Sequence, residues 1–218
     1  MQELNDSSLT GLWRQRVDRA RSVARLLSGI PFIRLVGLNG SLVTGRMSRE
    51  SDIDFYLAVA PGRLYTGRLL ATLAVHLTGW RRYGWRVRGR VCLNRFATTE
   101  ALDITPHNDY HARVFSGLEP LWAHEGVYER YQSVNQWMTV FGYQVGCSRR
   151  SLRREGWRGT VQRVGEWLLG GLIGDRLERW QRDWQRARIK GDPRTSEEGS
   201  RVFIRDNELC FHATKDIS

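Results

Sequence analysis

The most constraining feature of the sequence lies between residues 37 and 59, where a Gly-Ser pair is followed by two aspartates one residue apart. The aspartates, Asp52 and Asp54, open the run DIDFYLAV, which is rich in apolar and aromatic residues and typical of a buried strand. Because successive side chains of a strand point to opposite faces, the two carboxylates project together while Ile53 and Phe55 enter the core. Two carboxylates held that close repel each other unless a cation lies between them. The stretch therefore predicts either a cation site or a merely solvated strand end.

Length and hydropathy limit the class of protein. A chain of 218 residues can bury a core and fits one domain with an appendage, or two small domains. No apolar run is long enough to cross a bilayer, and the N-terminal residues MQELNDSS lack the pattern of a secretory signal. We therefore expect a soluble, cytoplasmic protein with no membrane partner. The three cysteines lack metal-binding spacing, which predicts inert thiols.

The net charge of +11 favours a polyanionic partner such as nucleic acid. All but two of the 34 basic residues are arginine, a bias that a GC-rich genome also produces. The basic residues are clustered, however, because residues 149–194 hold 13 Arg and Lys against 6 Asp and Glu. Base composition does not explain such clustering, so this segment is the predicted contact surface.

Hydrophobic periodicity and turn residues predict an α+β fold. The first half, residues 1–107, is expected to form a small mixed sheet with backing helices, and residues 108–218 a mainly helical second domain. Strands are predicted at residues 32–38, 52–59, 87–96 and 201–211. Helices are predicted at residues 9–27, 64–77, 110–118, 127–141 and 164–189, with a short helical turn opened by Gly40 and Ser41.

The last predicted helix carries two stripes of side chains. One stripe consists of Ile173, Leu177, Trp180 and Trp184. We expect it to pack on the core, and base stacking by the tryptophans is the alternative. The opposite face carries Arg179, Arg182 and Arg186, which we expect to face solvent and to contact nucleic acid.

A strand that leads into Gly40-Ser41, followed by a loop and by Asp52-Ile53-Asp54, resembles the compound motif of the DNA polymerase beta-type nucleotidyltransferase superfamily. The similarity covers residues 32–60. It implies a nucleoside triphosphate donor and two Mg²⁺ ions held by Asp52 and Asp54, which fits the preference of Mg²⁺ for carboxylate oxygens.

The same resemblance implies a phosphate site at the turn. Gly40 would let the backbone approach a phosphate, and the amide and hydroxyl of Ser41 would donate hydrogen bonds to it. Arg46 and Arg49, in the loop before the aspartates, would hold the outer phosphates, unless that loop is simply solvated.

Active members of this superfamily bring a third carboxylate from a neighbouring strand. In this chain Asn94 and Asp103 are the candidates for that position, with Glu100 a weaker one. Asp103 is preferred, as metal ligand and general base, since an amide cannot take a proton from the acceptor. If neither residue reaches the metal ions, the protein binds nucleotide without transferring it.

The sequence thus predicts a magnesium-dependent nucleotidyltransferase that moves a nucleoside monophosphate from a nucleoside triphosphate, such as ATP, to an acceptor, with RNA favoured. The alternative is a catalytically inactive nucleotide- or RNA-binding module on the same fold.

Overall fold

A computed structural model describes residues 2–84, 86–146, 156–195 and 201–212. Cys147 and the arginine-rich beginning of the 149–194 segment lie outside these ranges. Within them, six strands form one mixed sheet in the order β4-β1-β2-β3-β6-β5. The strands are β1 (Ile33–Asn39), β2 (Ile53–Val59), β3 (Val91–Thr98), β4 (Glu119–Ala123), β5 (Arg201–Ile204) and β6 (Glu208–His212). Only β2 and β3 are parallel, and the other neighbouring strands are antiparallel.

Helices cover both faces of this sheet. They are α1 (Gln2–Leu27), α2 (Leu64–Leu77), α3 (Asp109–Phe115), α4 (Val127–Val134), α5 (Trp157–Leu168) and α6 (Gly171–Lys190). Apolar residues of α1 and α2 pack on one face together with Phe55 and Leu57, and α3 and α4 pack on the other with Tyr56 and Ala58. The alternation along β2 separates the two cores, because its successive side chains point to opposite faces.

The mixed α+β architecture agrees with the sequence, and agreement is closest around the aspartates. β1, a short 3₁₀ turn at Gly40–Leu42, β2 and α2 all lie within one residue of their predicted bounds. Ile53 and Phe55 are fully buried, as the strand pattern requires. The third strand begins at Val91, later than predicted, because residues 87–90 form a turn before it.

The second half of the chain contains more strand than its sequence suggested. β4 was not predicted, and it pairs with the outer edge of β1. The predicted terminal strand is a hairpin of β5 and β6, and β6 pairs with the outer edge of β3. The division at residue 108 stays a prediction, but strands from both sides of it share one sheet.

A buried ion pair fastens this hairpin to the sheet. The guanidinium of Arg95 on β3 donates to a carboxylate oxygen of Glu208 on β6, with 2.7 Å between Nε and Oε1. The Arg95 side chain is completely buried and the Glu208 side chain nearly so. Removing either partner would leave an uncompensated buried charge, so the pair makes the hairpin part of the sheet's core.

Two further helix predictions differ from the structure. The helix predicted at residues 127–141 ends at Val134 and continues as a 3₁₀ turn, and the one predicted at residues 164–189 is two helices that meet near Gly170. The expectation that the tryptophan stripe packs on the core was wrong, because Trp180 and Trp184 are exposed. In the described part of the chain no helix combines the length and apolar character needed to cross a bilayer.

Candidate functional site

The candidate site lies where β1 ends, at the turn that begins with Gly40. Asn39, the last residue of β1, is directly opposite Asp54 on β2. Gly40 has a φ of +76°, a region that favours glycine, and a Cβ built there would lie 2.5 Å from Oδ2 of Asp54. Both the backbone conformation and the close carboxylate therefore favour glycine at position 40.

Two carboxyl groups meet beside this turn. Oxygen atoms of Asp52 and Asp54 and the sulfur of Cys92 all lie within 4.8 Å of one another. Asn94, on β3, donates from Nδ2 to Oδ1 of Asp54 at 2.9 Å. Arg82, in the irregular segment after α2, donates to Oδ2 of Asp52 at 2.7 Å. The predicted proximity of the two carboxylates is thus found, together with an arginine that partly neutralises them.

Burial and charge favour the protonated forms of two members of this cluster, Asp54 and Cys92. Burial, and next the charge of Asp52, raise the pKa of Asp54 from 3.8 to about 8, although Arg82 and Asn94 oppose the shift. Burial and the same two carboxylates also raise the pKa of the Cys92 thiol well above its ordinary value. At neutral pH the site without a cation therefore keeps a proton on Asp54 and on Cys92, which is the expected response to crowded negative charge.

The donor set fits a hard divalent cation. Two carboxylates at this separation are what Mg²⁺ typically takes from a protein, and substrate phosphates and water complete its shell. Cys92 is a soft ligand that binds metals as a thiolate, so as a thiol it contributes little to such a site. Divalent charge would replace the proton on Asp54 and relieve the repulsion between the carboxylates.

Next to the carboxylates is a buried amide whose hydrogen-bonding capacity is unused. The Asn39 side chain is 1% exposed. Neither its Oδ1 nor its Nδ2 has a hydrogen-bond partner among the described residues. Asn39 and Asp54 occupy facing positions on neighbouring antiparallel strands, so their side chains share one face of the sheet. A buried polar group of this kind requires an explanation, and a bound ligand or ordered water is the simplest.

Asp103, the preferred third carboxylate, is not brought to this site. Asp54 pairs with Cys92 near the start of β3, whereas Asp103 follows the end of that strand. The six residue steps from Cys92 to Thr98 span about 20 Å of strand. The half-exposed Asp103 carboxylate instead pairs with the His107 ring at 2.9 Å. Asn94 is therefore the candidate that reaches Asp54, and Glu100, two residues past the strand, lies toward the same far end as Asp103.

The loop before the aspartates is held by an arginine of α1. Arg16 is 3% exposed and donates to the carbonyl oxygens of Ser48 at 2.7 Å and Arg49 at 2.6 Å. Arg49 lines an open cavity of about 530 Å³ together with Arg16, Arg19 and Arg88. Arg46 is exposed, and its backbone N–H donates to the Ser41 carbonyl. Positive charge thus collects on the α1 side of the loop that ends at Asp52.

We expect Arg16→Ala to loosen this loop. Two backbone carbonyls lose charged hydrogen-bond donors, which should lower the free energy of unfolding by about 2 kcal/mol. Tryptic cleavage after Arg46 and Arg49 should accelerate several-fold, because the loop would open locally more often. Arg21→Ala is the matched control, since Arg21 is exposed on the same helix and makes a long surface ion pair with Asp18 at 3.5 Å. Equal cleavage rates in the two variants would show that Arg16 does not order the loop.

The arginines proposed as nucleic-acid contacts are not equivalent. Arg179 is exposed, as expected. Arg186 instead donates to the Tyr65 hydroxyl at 2.8 Å and to Asp206 at 2.6 Å, and Arg182 pairs with its neighbour Asp183 at 3.1 Å. The expectation that all three face solvent was wrong for Arg186, because the glutamine side of α6, not its tryptophan side, packs on the body.

Two members of the cluster, Cys92 and Arg82, were missed by the sequence reasoning. Cys92 shares its strand face with Asn94, and this alternation was a usable signal once β3 is paired with β2. Arg82 had no signal, because it lies in an irregular segment. Comparison of the chain with protein-family models, with curated proteins and with solved structures found no match.

Proposed function

We propose that this protein is a magnesium-dependent nucleotidyltransferase. The observation that carries the proposal is the close packing of the Asp54 carboxyl against Gly40, which leaves no room for a Cβ, with Asp52 beside it. A glycine turn against a pair of carboxyl groups suits a ligand that is both phosphate and metal-bound. The unused amide of Asn39, next to that turn, offers a further donor and acceptor to the same ligand.

Each residue of the cluster has a physical role in this proposal. Asp52 and Asp54 hold the divalent ions, which would activate the attacking oxygen and neutralise charge on the leaving pyrophosphate. Gly40 and Ser41 receive a phosphate at the backbone. Asn94 orients the Asp54 carboxylate through its hydrogen bond. Arg82, now paired with Asp52, is free to rotate toward the triphosphate once divalent charge neutralises the carboxylate.

The cationic cavity beside the loop supports a polyanionic donor. Arg49 was expected to hold outer phosphates, and it lies in the same cavity as Arg88. Burial, and next the charge of Arg19, lower the pKa of Arg16, and the charges of Asp52 and Glu50 oppose this shift. Asp52 is therefore near enough to this cavity-lining arginine for their charges to interact.

A labelling experiment tests the proposal. The protein is incubated with Mg²⁺ and each α-³²P-labelled nucleoside triphosphate, together with RNA, protein and small-molecule fractions of a cell extract. We expect label in one fraction with wild-type protein and with Asp103→Asn, because Asp103 is remote from the site. Asp54→Asn should reduce labelling by at least ~100-fold, since it removes a metal ligand. Label that persists in Asp54→Asn, or no label and no nucleotide binding in the wild type, would refute the assignment.

The second candidate function is nucleotide binding without transfer. The residues on β3 beside Asp54 favour this candidate. They are Cys92 and Asn94, and among the described residues no third carboxylate joins Asp52 and Asp54. An amide cannot accept the acceptor's proton, so the reaction would need a base from the substrate. Calorimetry that detects Mg²⁺-dependent nucleotide binding, combined with no labelling of any fraction, would select this candidate. RNA as the acceptor stays a prediction.

A further inference from the structure

The consecutive helices α5 and α6 carry an unusually apolar surface, here called the outer helix face. Exposure is highest around the junction of the two helices, here called the tip, where Trp167 and Leu172 are each 81% exposed and Ile173 is 76% exposed. The other large apolar side chains of the face are Trp157, Val161, Val164, Leu168, Trp180 and Trp184. So many exposed large apolar side chains on two consecutive helices mark an interaction site in a protein that is otherwise strongly polar.

The opposite side of α5 and α6 is attached to the body by polar side chains. Gln162 on α5 donates to the carbonyl of Ile33 at 2.7 Å, and Gln185 on α6 donates to the carbonyl of Tyr65 at 2.9 Å. Both glutamines are nearly fully buried. The amphipathic pattern is therefore reversed relative to an ordinary surface helix, and the apolar side is the one left without a partner among the described residues.

Three of the four acidic side chains of α5 and α6 contact the body. Glu166 pairs with Arg34 at 2.6 Å, and Asp175 pairs with Arg63 at 2.6 Å. Glu178 accepts hydrogen bonds from two backbone N–H groups in the first turn of α2 at 2.8 Å. The fourth, Asp183, is exposed beside Arg182, so most of the negative charge of the two helices is neutralised by the body.

Arginines accompany the apolar residues on the outside. Arg176 and Arg179 are exposed on α6 near the tip. The guanidinium of Arg158 lies 5.0 Å from the ring centre of Trp157, and that of Arg188 lies 5.5 Å from Trp184. The outer helix face is consequently both apolar and positively charged.

We propose that the outer helix face docks on an anionic lipid bilayer, with Trp167, Leu172 and Ile173 inserted among the headgroups. Highly exposed apolar side chains at the tip suit the acyl boundary of a membrane, and neighbouring arginines suit acidic headgroups. A second copy of the chain would bring the same positive charge against this face. Nucleic-acid bases would leave the aliphatic side chains of the tip in water. The proposal is independent of the transfer reaction and concerns binding at the surface of the bilayer, not a span across it.

Vesicle binding tests the proposal. Protein is sedimented with vesicles of phosphatidylcholine alone or of phosphatidylcholine containing phosphatidylserine, and tryptophan quenching by brominated lipid reports insertion. We expect wild-type protein to bind the anionic vesicles and to be quenched, and to bind neutral vesicles at least ~10-fold more weakly. Leu172→Glu should weaken anionic binding at least ~10-fold, because it places a carboxylate at the inserted tip.

Val140→Glu is the matched control. Val140 is 84% exposed on the 3₁₀ turn after α4, so the chemical change and the exposure match those of Leu172 while the position does not. We expect this variant to bind vesicles like the wild type. Unfolding curves of both variants should coincide with that of the wild type, since neither side chain is buried.

Other outcomes would overturn the proposal. The two variants could lose vesicle binding equally, or Leu172→Glu could keep binding that only salt removes. Either result would show that vesicles attract the protein through its overall positive charge and not through the outer helix face. Dimers at micromolar concentration that Leu172→Glu dissociates, with no vesicle binding, would assign the face to a second copy. Binding of labelled single-stranded RNA that Trp180→Ala abolishes, again without vesicle binding, would assign it to nucleic acid.

Discussion

Replacing Gly40 by alanine should abolish Mg²⁺-dependent nucleotide binding, with a loss of affinity of at least ~100-fold, because the new methyl group displaces the carboxyl group that we propose binds the metal. The added Cβ would stand 2.5 Å from Oδ2 and 3.3 Å from Cγ of Asp54. The end of the Asp54 side chain can rotate away, so the collision is relieved by moving the carboxylate out of the site. We expect a modest extra cost to stability and a large cost to binding.

Gly45→Ala provides the control that isolates this contact. Gly45 has a φ of +71°, close to the +76° of Gly40, and nothing lies within 4 Å of its added Cβ. Both substitutions place alanine in a left-handed conformation, which should lower the free energy of unfolding by about 1–2 kcal/mol. Calorimetric titration with a non-hydrolysable nucleoside triphosphate measures the affinity, and urea unfolding measures the free energy of unfolding. If Gly45→Ala loses binding as completely as Gly40→Ala, the Asp54 contact is not the cause.

Without divalent cations, wild-type protein should lose stability as pH rises from 5 to 8. Asp54 releases its proton at about pH 8 when folded, whereas its ordinary value is 3.8. Between these values the folded protein holds the extra proton, so the free energy of unfolding falls with rising pH. Asp54→Asn removes this titration, and the variant should be more stable than the wild type at pH 8 by at least ~1 kcal/mol.

Magnesium should reverse that trend in the wild type alone. Because the cation competes with the Asp54 proton, the stabilisation it gives should grow as pH approaches 8. Asp54→Asn should gain little from Mg²⁺ at any pH, and it should transfer no nucleotide. Asp103→Asn, which removes a carboxylate from the far end of the sheet, should keep both the pH trend and the response to Mg²⁺. Urea unfolding at several pH values, with chelator or with Mg²⁺, measures these differences; a flat wild-type profile would contradict the crowded-carboxylate account.

The sequence predicted the site where local patterns decide the structure. β1, the turn at Gly40 and β2 follow from short-range signals, and the two carboxylates are neighbours by the strand's period alone. The third position depends on how β3 aligns with β2, and that register shifts between Phe55 and Tyr56. No pattern within one strand reports such a shift. Asp103 was preferred to Asn94 for its chemistry, because an amide cannot take a proton, and the sequence did not show that Asp103 lies past the end of β3.

The orientation of α6 was mispredicted for a different reason. Periodicity shows that a helix has an apolar side, but it does not show which side meets the body. Here the buried Gln181 and Gln185 are part of a polar contact, with Gln185 donating to a backbone carbonyl. Hydrogen bonds to carbonyl groups of other segments cannot be inferred from helical spacing. β4 was missed because five residues that include Pro120 carry a weak strand signal.

The position of β6 has a consequence for how the chain acquires its fold on the ribosome. Arg95 and Glu208 are 113 positions apart, and β6 covers the outer edge of the strand that supplies Cys92 and Asn94. While the polypeptide is being synthesised, this edge stays open and Arg95 lacks its counter-charge long after β1 and β2 have emerged. An uncovered strand edge recruits other chains, so the nascent protein should depend on chaperones until its final hairpin is released. A chain that stops at residue 195 should aggregate even though both aspartates and their turn are present.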